Sequence, residues 1–169
     1  MSDILPYQFE PIAPHNLTDE DEFSSEDESD ENNEEQHERV GNVEWCSCNN
    51  CKTMHTGTES VCCRENAKVL DKLPEGLLCI TKLEDFTVVC LNKAVLETAL
   101  SQYVESEGFI DDEPLNDTYR YIAYRQWTYW THGKLGKKIR IPIPSCVVAK
   151  IRNCYPSEYG QYKGFEYAR

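Results

Sequence analysis

Nine cysteines are the residues best able to do chemistry in this chain of 169 residues. Five of them fall in the short run from Trp45 to Cys63: Cys46, Cys48 and Cys51, then the adjacent pair Cys62 and Cys63. No apolar periodicity accounts for thiols at this spacing. In a reducing compartment they are not held as disulfides, so an odd, clustered set points to a soft cation. Cys48-Asn49-Asn50-Cys51 has the spacing of a zinc knuckle, while Cys46 and the Cys62-Cys63 pair add more thiols than one ion can use. Neighbouring cysteines diverge and suit two adjacent ions better than one.

Ligand counting extends the set. Two tetrahedral ions need about eight ligand positions, which seven cysteines fill if one sulfur bridges and six fill if two do. Cys79, after the Gly76 turn, and Cys146, at the start of an expected helix, bring the set to Cys46, Cys48, Cys51, Cys62, Cys63, Cys79 and Cys146. Unpaired amides at a helix start can stabilise a thiolate. Cys90 and Cys154 are read instead as small apolar residues buried on helix faces, and His55 lacks a geometric reason to ligate. The rival chemistry is redox: a vicinal Cys62-Cys63 disulfide, or a thioredoxin-like use of Cys48 and Cys51. No βαβ pattern surrounds them, which weighs against it.

The elements that must position these thiols read as helical. Thr81 and Glu84 form a capping-box signature for a helix whose Leu83, Phe86, Val89 and Cys90 share a face. Asn92 re-caps a second helix carrying Val95, Leu96, Ala99, Leu100 and Tyr103, and Gly108 closes it. Asp111 to Pro114 make a loop. A third helix is expected from about Thr118 to His132, capped near Asn116 or Asp117 and ended by Gly133. Its Trp127 and Trp130 are assigned to the core, with its tyrosines half-buried around them. A basic loop, Lys134 to Arg140, leads into the extended Ile141-Pro142-Ile143-Pro144. Ser145 then opens a last helix to about Cys154, and residues 155–169 are an irregular tyrosine-rich tail. Lys68 to Leu78 is read as a connection. The fold class expected is a mainly α, small irregular domain organised around a multi-cysteine zinc cluster.

Charge is strongly segregated. Residues 1–44 carry fifteen acids and one base, residues 45–114 twelve acids and six bases, and residues 115–169 three acids and ten bases. Residues 1–44 are therefore expected to be a disordered acidic tail, unable to bury enough apolar surface to order itself, and residues 45–169 the zinc-binding domain. Ser24, Ser25 and Ser29 among the acids resemble substrates of acid-directed kinases, and the tail has the charge to fold back on the basic C-terminal third. Met1 to Pro6 show neither a basic region nor an apolar run, so no signal peptide is read, and no segment reaches the ~20 apolar residues of a membrane span. The expected location is intracellular, in the cytoplasm.

Several motifs occur together in order: Trp45-Cys46-x-Cys48-x-x-Cys51, Cys62-Cys63-Arg64, Cys79-Ile80-Thr81, Ala123-Tyr124-Arg125, Pro144-Ser145-Cys146, Ile151-Arg152 and Gly160-Gln161-Tyr162-x-Gly164-Phe165. Over about Glu44 to Phe165 they resemble the intracellular C-terminal "ballast" domain of the P2X purinergic receptor family, subtype seven. The resemblance implies a compact, mainly helical domain over a two-zinc cysteine cluster, with Cys48, Cys51, Cys62, Cys63, Cys79 and Cys146 as ligands and Cys46 also matching the pattern. It also implies a guanine-nucleotide pocket at Arg120, Tyr124, Ile141 and Ile143. Val148 and Ser157 stand where the receptor domain has basic residues facing phosphates, which weakens the charge-assisted contacts. Lys150 or Arg152 would have to compensate.

The function expected is a non-enzymatic zinc-binding interaction or regulatory module that presents its basic, aromatic C-terminal third to a protein partner. The four histidines are scattered, no P-loop exists, and a thiolate-saturated zinc leaves no open position for water. A guanine-nucleotide-binding regulator is one alternative. A nucleic-acid-binding zinc protein, using Lys134, Lys137, Lys138 and Arg140 beside Tyr129 and Trp130, is another; the acidic tail would compete with any nucleic acid and disfavours it.

Overall fold

A computed structural model describes residues 36–108, 115–136 and 138–167. The disorder expected of residues 1–35, the loop at Asp111 to Pro114 and the Lys137 side chain lie outside the described residues. The helices are α1 (Ala67–Leu70), α2 (Glu84–Phe86), α3 (Lys93–Glu107), α4 (Leu115–His132) and α5 (Ser145–Cys154). Tight 3-10 turns occupy Cys63–Glu65 and Ile80–Lys82, and a π-helical turn runs Thr87–Leu91. No strand occurs among the described residues. The chain is thus a small, mainly α domain.

The helix boundaries follow local chemistry. The Asn92 side chain accepts from the amides of Ala94 and Val95 and starts α3. Gly108 (φ 93°) ends that helix and Gly133 (φ 72°) ends α4, left-handed conformations that cost other residues more. Their amides bond back to the Val104 and Tyr129 carbonyls at 2.9 and 2.8 Å. The first turn of α4 is fixed by Asp117, whose carboxylate meets Arg120 Nη2 at 2.7 Å, and by Asn116, which donates to the Pro156 carbonyl at 3.0 Å.

Some expectations need correction. Thr81 does not cap a helix, because its hydroxyl sits 3.1 Å from Cys79 Sγ; α2 starts at Glu84 after an extended Leu83. The turn after α2 is π rather than α. The start of the stretch read as a connection, from Lys68, belongs instead to the short α1, which Asn66 caps by accepting from the Lys68 amide. Cys90 is buried as expected, but Cys154 is exposed. The buried stripe of α5 runs through Val147, Val148 and Ile151 to Tyr155, and position 154 falls beside that stripe.

α4 is the central element, lying against Thr87–Leu91, α3 and α5. Trp127 is 1% exposed and meets Phe86 edge-on at 5.9 Å. The aromatic assignment along α4 is partly reversed: Tyr119, Tyr121 and Tyr124 are buried, whereas Trp130 is half-buried and Tyr129 exposed. Tyr121 packs on Tyr103 of α3, and Tyr119 on Tyr155 after α5. The helix is covered along more than one face, so more of its rings are enclosed than a single stripe would give.

The fold also grips residues N-terminal to the thiol knot. Arg39 reaches Glu65 at 2.7 Å and the Ser60 carbonyl at 3.2 Å, and the Trp45 indole donates to the Arg39 and Asn42 carbonyls. Contacts of the body therefore begin inside the segment read from sequence as tail.

Candidate metal centre

The thiols converge from four stretches of chain. Cys46, Cys48 and Cys51 lie on an irregular loop in which Asn49 takes a left-handed conformation (φ 61°), which asparagine tolerates better than most residues. The Asn50 side chain closes the same loop on the Cys48 carbonyl at 2.6 Å. Cys62 precedes the turn Cys63–Glu65, and the Glu65 carboxylate accepts from the Cys62 amide at 2.7 Å. Cys79 immediately precedes the turn Ile80–Lys82, and Cys146 is the second residue of α5.

Two four-thiol groups result: Cys46, Cys48, Cys51 and Cys62, and Cys48, Cys63, Cys79 and Cys146, each with sulfurs within 4.8 Å of one another. Cys48 belongs to both. Together the two groups contain the seven cysteines singled out from sequence. No histidine joins either group, and His55 is exposed. Cys46 is half-buried at the rim, and the other six thiols are buried.

The donor set fits a thiolate-bound cation. Cys46 to Cys48 and Cys48 to Cys51 are each 3.7 Å, sulfur to sulfur. A tetrahedron with metal–sulfur bonds of about 2.3 Å has edges of about 3.8 Å, whereas a disulfide would bring the sulfurs to about 2.05 Å. Soft, all-sulfur sites of this kind select Zn, Cu(I) or iron–sulfur centres. The protons are unevenly held. Hydrogen bonds to Cys51, Cys63 and Cys79 push the Cys146 thiol up, and burial pushes Cys48 up. The same Cys146 contact lowers Cys79 and Cys51. A cation among the sulfurs would supply the positive charge that shared protons otherwise provide.

Hydroxyl groups orient the cluster. Thr81 Oγ1 lies 3.1 Å from Cys79 Sγ and Ser47 Oγ 3.7 Å from Cys62 Sγ. Ser145 is fully buried: its amide bonds the Val61 carbonyl at 2.9 Å and its hydroxyl bonds both backbone groups of Lys52. Sequence reasoning passed over Ser47 and read Thr81 and Ser145 only as helix starts. Their proximity to cysteines in Ser47-Cys48, Cys79-x-Thr81 and Ser145-Cys146 was the available signal.

The residues implied for a nucleotide are placed unevenly. Tyr124, Ile143 and Arg152 line one small cavity together with Val148, while Arg120 and Arg152 both face the Tyr162 ring, at 5.1 and 4.5 Å. Burial pushes the Tyr124 phenol up, and the nearby Arg152 and Arg120 charges partly oppose it. Ile141 is half-buried and Lys150 exposed, and neither lines the cavity. Ser157 contacts Tyr162 instead, its amide donating to the phenol oxygen at 3.2 Å. No helix among the described residues is long and apolar enough to cross a membrane.

The chain is 30% identical over 129 residues to P2X purinoceptor 7 of Rattus norvegicus and 29% identical over 128 residues to P2X purinoceptor 7 of Mus musculus, covering 73% of this chain in each case. It spans about a fifth of the length of these curated relatives, 20% of each. The model of the P2X purinoreceptor 7 intracellular domain matches residues 7–166, reaching back through most of the acidic segment and beyond the Glu44 edge of the sequence motifs. With that match extending over nearly all of its length, the chain belongs to the P2X purinoreceptor 7 intracellular domain family.

Proposed function

We propose that the chain is a non-enzymatic zinc-binding interaction or regulatory module. Two zinc ions hold its body together, and the basic, aromatic C-terminal third meets a protein partner in the cytoplasm. One ion would be held by Cys46, Cys48, Cys51 and Cys62, the other by Cys48, Cys63, Cys79 and Cys146. The observation that carries this is the sharing of Cys48 between two four-thiol groups. Zinc supplies cross-links between distant segments, and its four sulfur positions leave none for a reacting water. The division expected is residues 45–169 as the module and residues 1–44 as an acidic tail. Tyr129, Lys134, Lys138 and Ile139 are exposed on the basic third, the chemistry of a surface for an acidic, partly apolar partner.

The test is metal content of the native protein by elemental mass spectrometry. Two zinc ions per chain are expected. One ion per chain would overturn the shared-sulfur cluster, and none, with oxidised cysteines, would favour the redox chemistry.

A second reading, a guanine-nucleotide-responsive regulator, draws support from the two guanidinium groups of Arg120 and Arg152 beside Tyr124 and Ile143. Guanosine nucleotides should then raise the melting temperature; no shift at millimolar ligand leaves the first reading alone.

A further inference from the structure

The C-terminal segment, residues 160–167, crosses the cavity beside Arg152 as a strap. Glu59 anchors it. This carboxylate is 6% exposed, accepts from Thr56 Oγ1 at 2.8 Å, and accepts from the Phe165 amide at 3.0 Å. Gly164 passes so near that a Cβ there would lie 3.2 Å from Glu59 Oε1. Arg152 Nη2 donates to the Lys163 carbonyl at 3.2 Å. The Tyr162 ring lies against both Arg120 and Arg152, a flat π-face held by two cations. Beneath the strap a space of about 10 Å³ remains among Met54, Glu59, Tyr124, Ile143, Val148 and Arg152, room for about one water.

The groups under the strap would suit a particular ligand. Two guanidinium planes stack on a flat aromatic ring, and a buried carboxylate accepts from an N–H edge. Arg152 Nε is buried there with no hydrogen-bond partner among the described residues. We propose that the strap is a tethered occupant of this pocket, with the Tyr162 ring and the Phe165 N–H in the places of a planar heteroaromatic ligand carrying an N–H donor edge. Such a ligand binds only when the strap lifts. The inference rests on the nucleotide reading above and adds that the pocket is self-occupied in the resting chain. A competent fraction reduced by closure lowers apparent affinity in proportion.

The experiment uses the full, metal-loaded chain with GDP as probe, read by titration calorimetry and by hydrogen exchange of residues 160–167. Tyr162→Ala removes the ring contact with both arginines and should tighten GDP binding about tenfold, the scale of two cation–π contacts. Tyr162→Phe keeps the ring over both arginines, loses only the exposed bond from the Ser157 amide, and should bind far closer to the unmodified chain than Tyr162→Ala does. Gly164→Ala loosens the strap by crowding Glu59 while leaving the pocket side chains in place, and should shift affinity in the same direction as Tyr162→Ala. GDP should also speed exchange across residues 160–167 of the unmodified chain. GDP binding to that chain with exchange unchanged would overturn the strap and leave the nucleotide reading standing. Weaker binding in Tyr162→Ala would likewise overturn it, making Tyr162 part of the site rather than its competitor. No binding by any form, with the strap shown released in Tyr162→Ala, would overturn both.

Discussion

Lys52 and Ser145, separated by 93 positions in the sequence, exchange two hydrogen bonds: the Lys52 amide donates to the Ser145 hydroxyl at 2.9 Å, and that hydroxyl donates to the Lys52 carbonyl at 2.5 Å. The pairing brings the first residue of α5 onto the loop that follows Cys51. Cys146 therefore arrives at the cluster with its position set by a neighbouring hydroxyl as well as by its own sulfur.

Replacing that hydroxyl should be costly in proportion to the polar groups it leaves unpaired. Ser145→Ala is expected to lose about 1–3 kcal/mol. Urea unfolding of the metal-loaded chain checks it: a lower midpoint with an unchanged slope is expected.

The two thiol groups should fail differently. Cys46, Cys48, Cys51 and Cys62 lie close in sequence, so their metal would tie only a local knot. Cys63, Cys79 and Cys146 join separate turns and α5. Cys46→Ser is expected to lose one metal and keep cooperative unfolding. Cys146→Ser is expected to abolish the cooperative transition, because a structural zinc contributes about 10–16 kcal/mol in zinc-finger peptides against a usual total stability of about 5–15 kcal/mol. Elemental analysis and thermal melts of both variants check the pair, and equal effects would contradict the division.

The apolar core is centred on α4. Trp127 is 1% exposed and edge-on to Phe86. Trp127→Ala should cost about 3–5 kcal/mol through lost burial and the cavity left behind. Chemical denaturation gives the number, and a loss below about 1 kcal/mol would mean the core can collapse around the site.

His132 supplies a pH dependence. Burial, then the charge of Lys68, holds its pKa below the ordinary 6.5. The unfolded chain takes up this proton near its ordinary pKa while the folded chain resists it. Stability from this source is thus unaffected above about pH 6.5 and declines as the pH falls below it. Metal loss in acid is common to the parent and His132→Gln, so their difference isolates the histidine. The parent should lose more stability than the variant between about pH 7.5 and about pH 5.5. Equal losses would contradict the assignment.

Much of this architecture is legible because local chemistry sets it. Asn92, Gly108 and Gly133 mark helix ends through caps and left-handed turns, and the five cysteines between Trp45 and Cys63 stand out by type and spacing. The turn at Thr87–Leu91 is hidden, since the same apolar residues read equally well at α spacing. Thr81 misleads because its hydroxyl serves Cys79 rather than the backbone. Glu59 is the least legible residue: a carboxylate in a polar loop reads as exposed, and the Phe165 amide that helps to hold it inside lies 106 positions away. Long-range pairing of this kind leaves no periodic trace.

The uneven reach of the two thiol groups also sets an order in time. During synthesis, Cys46 to Cys62 leave the ribosome together, whereas Cys146 follows several seconds later at roughly 5–20 residues per second. Metal capture by the nascent chain would begin at the local knot, with Cys48 already engaged there before its second set of partners exists. On the two-zinc reading the last helix would then complete the second site, and premature termination before Cys146 would leave that site short of a ligand and its thiols open to oxidants.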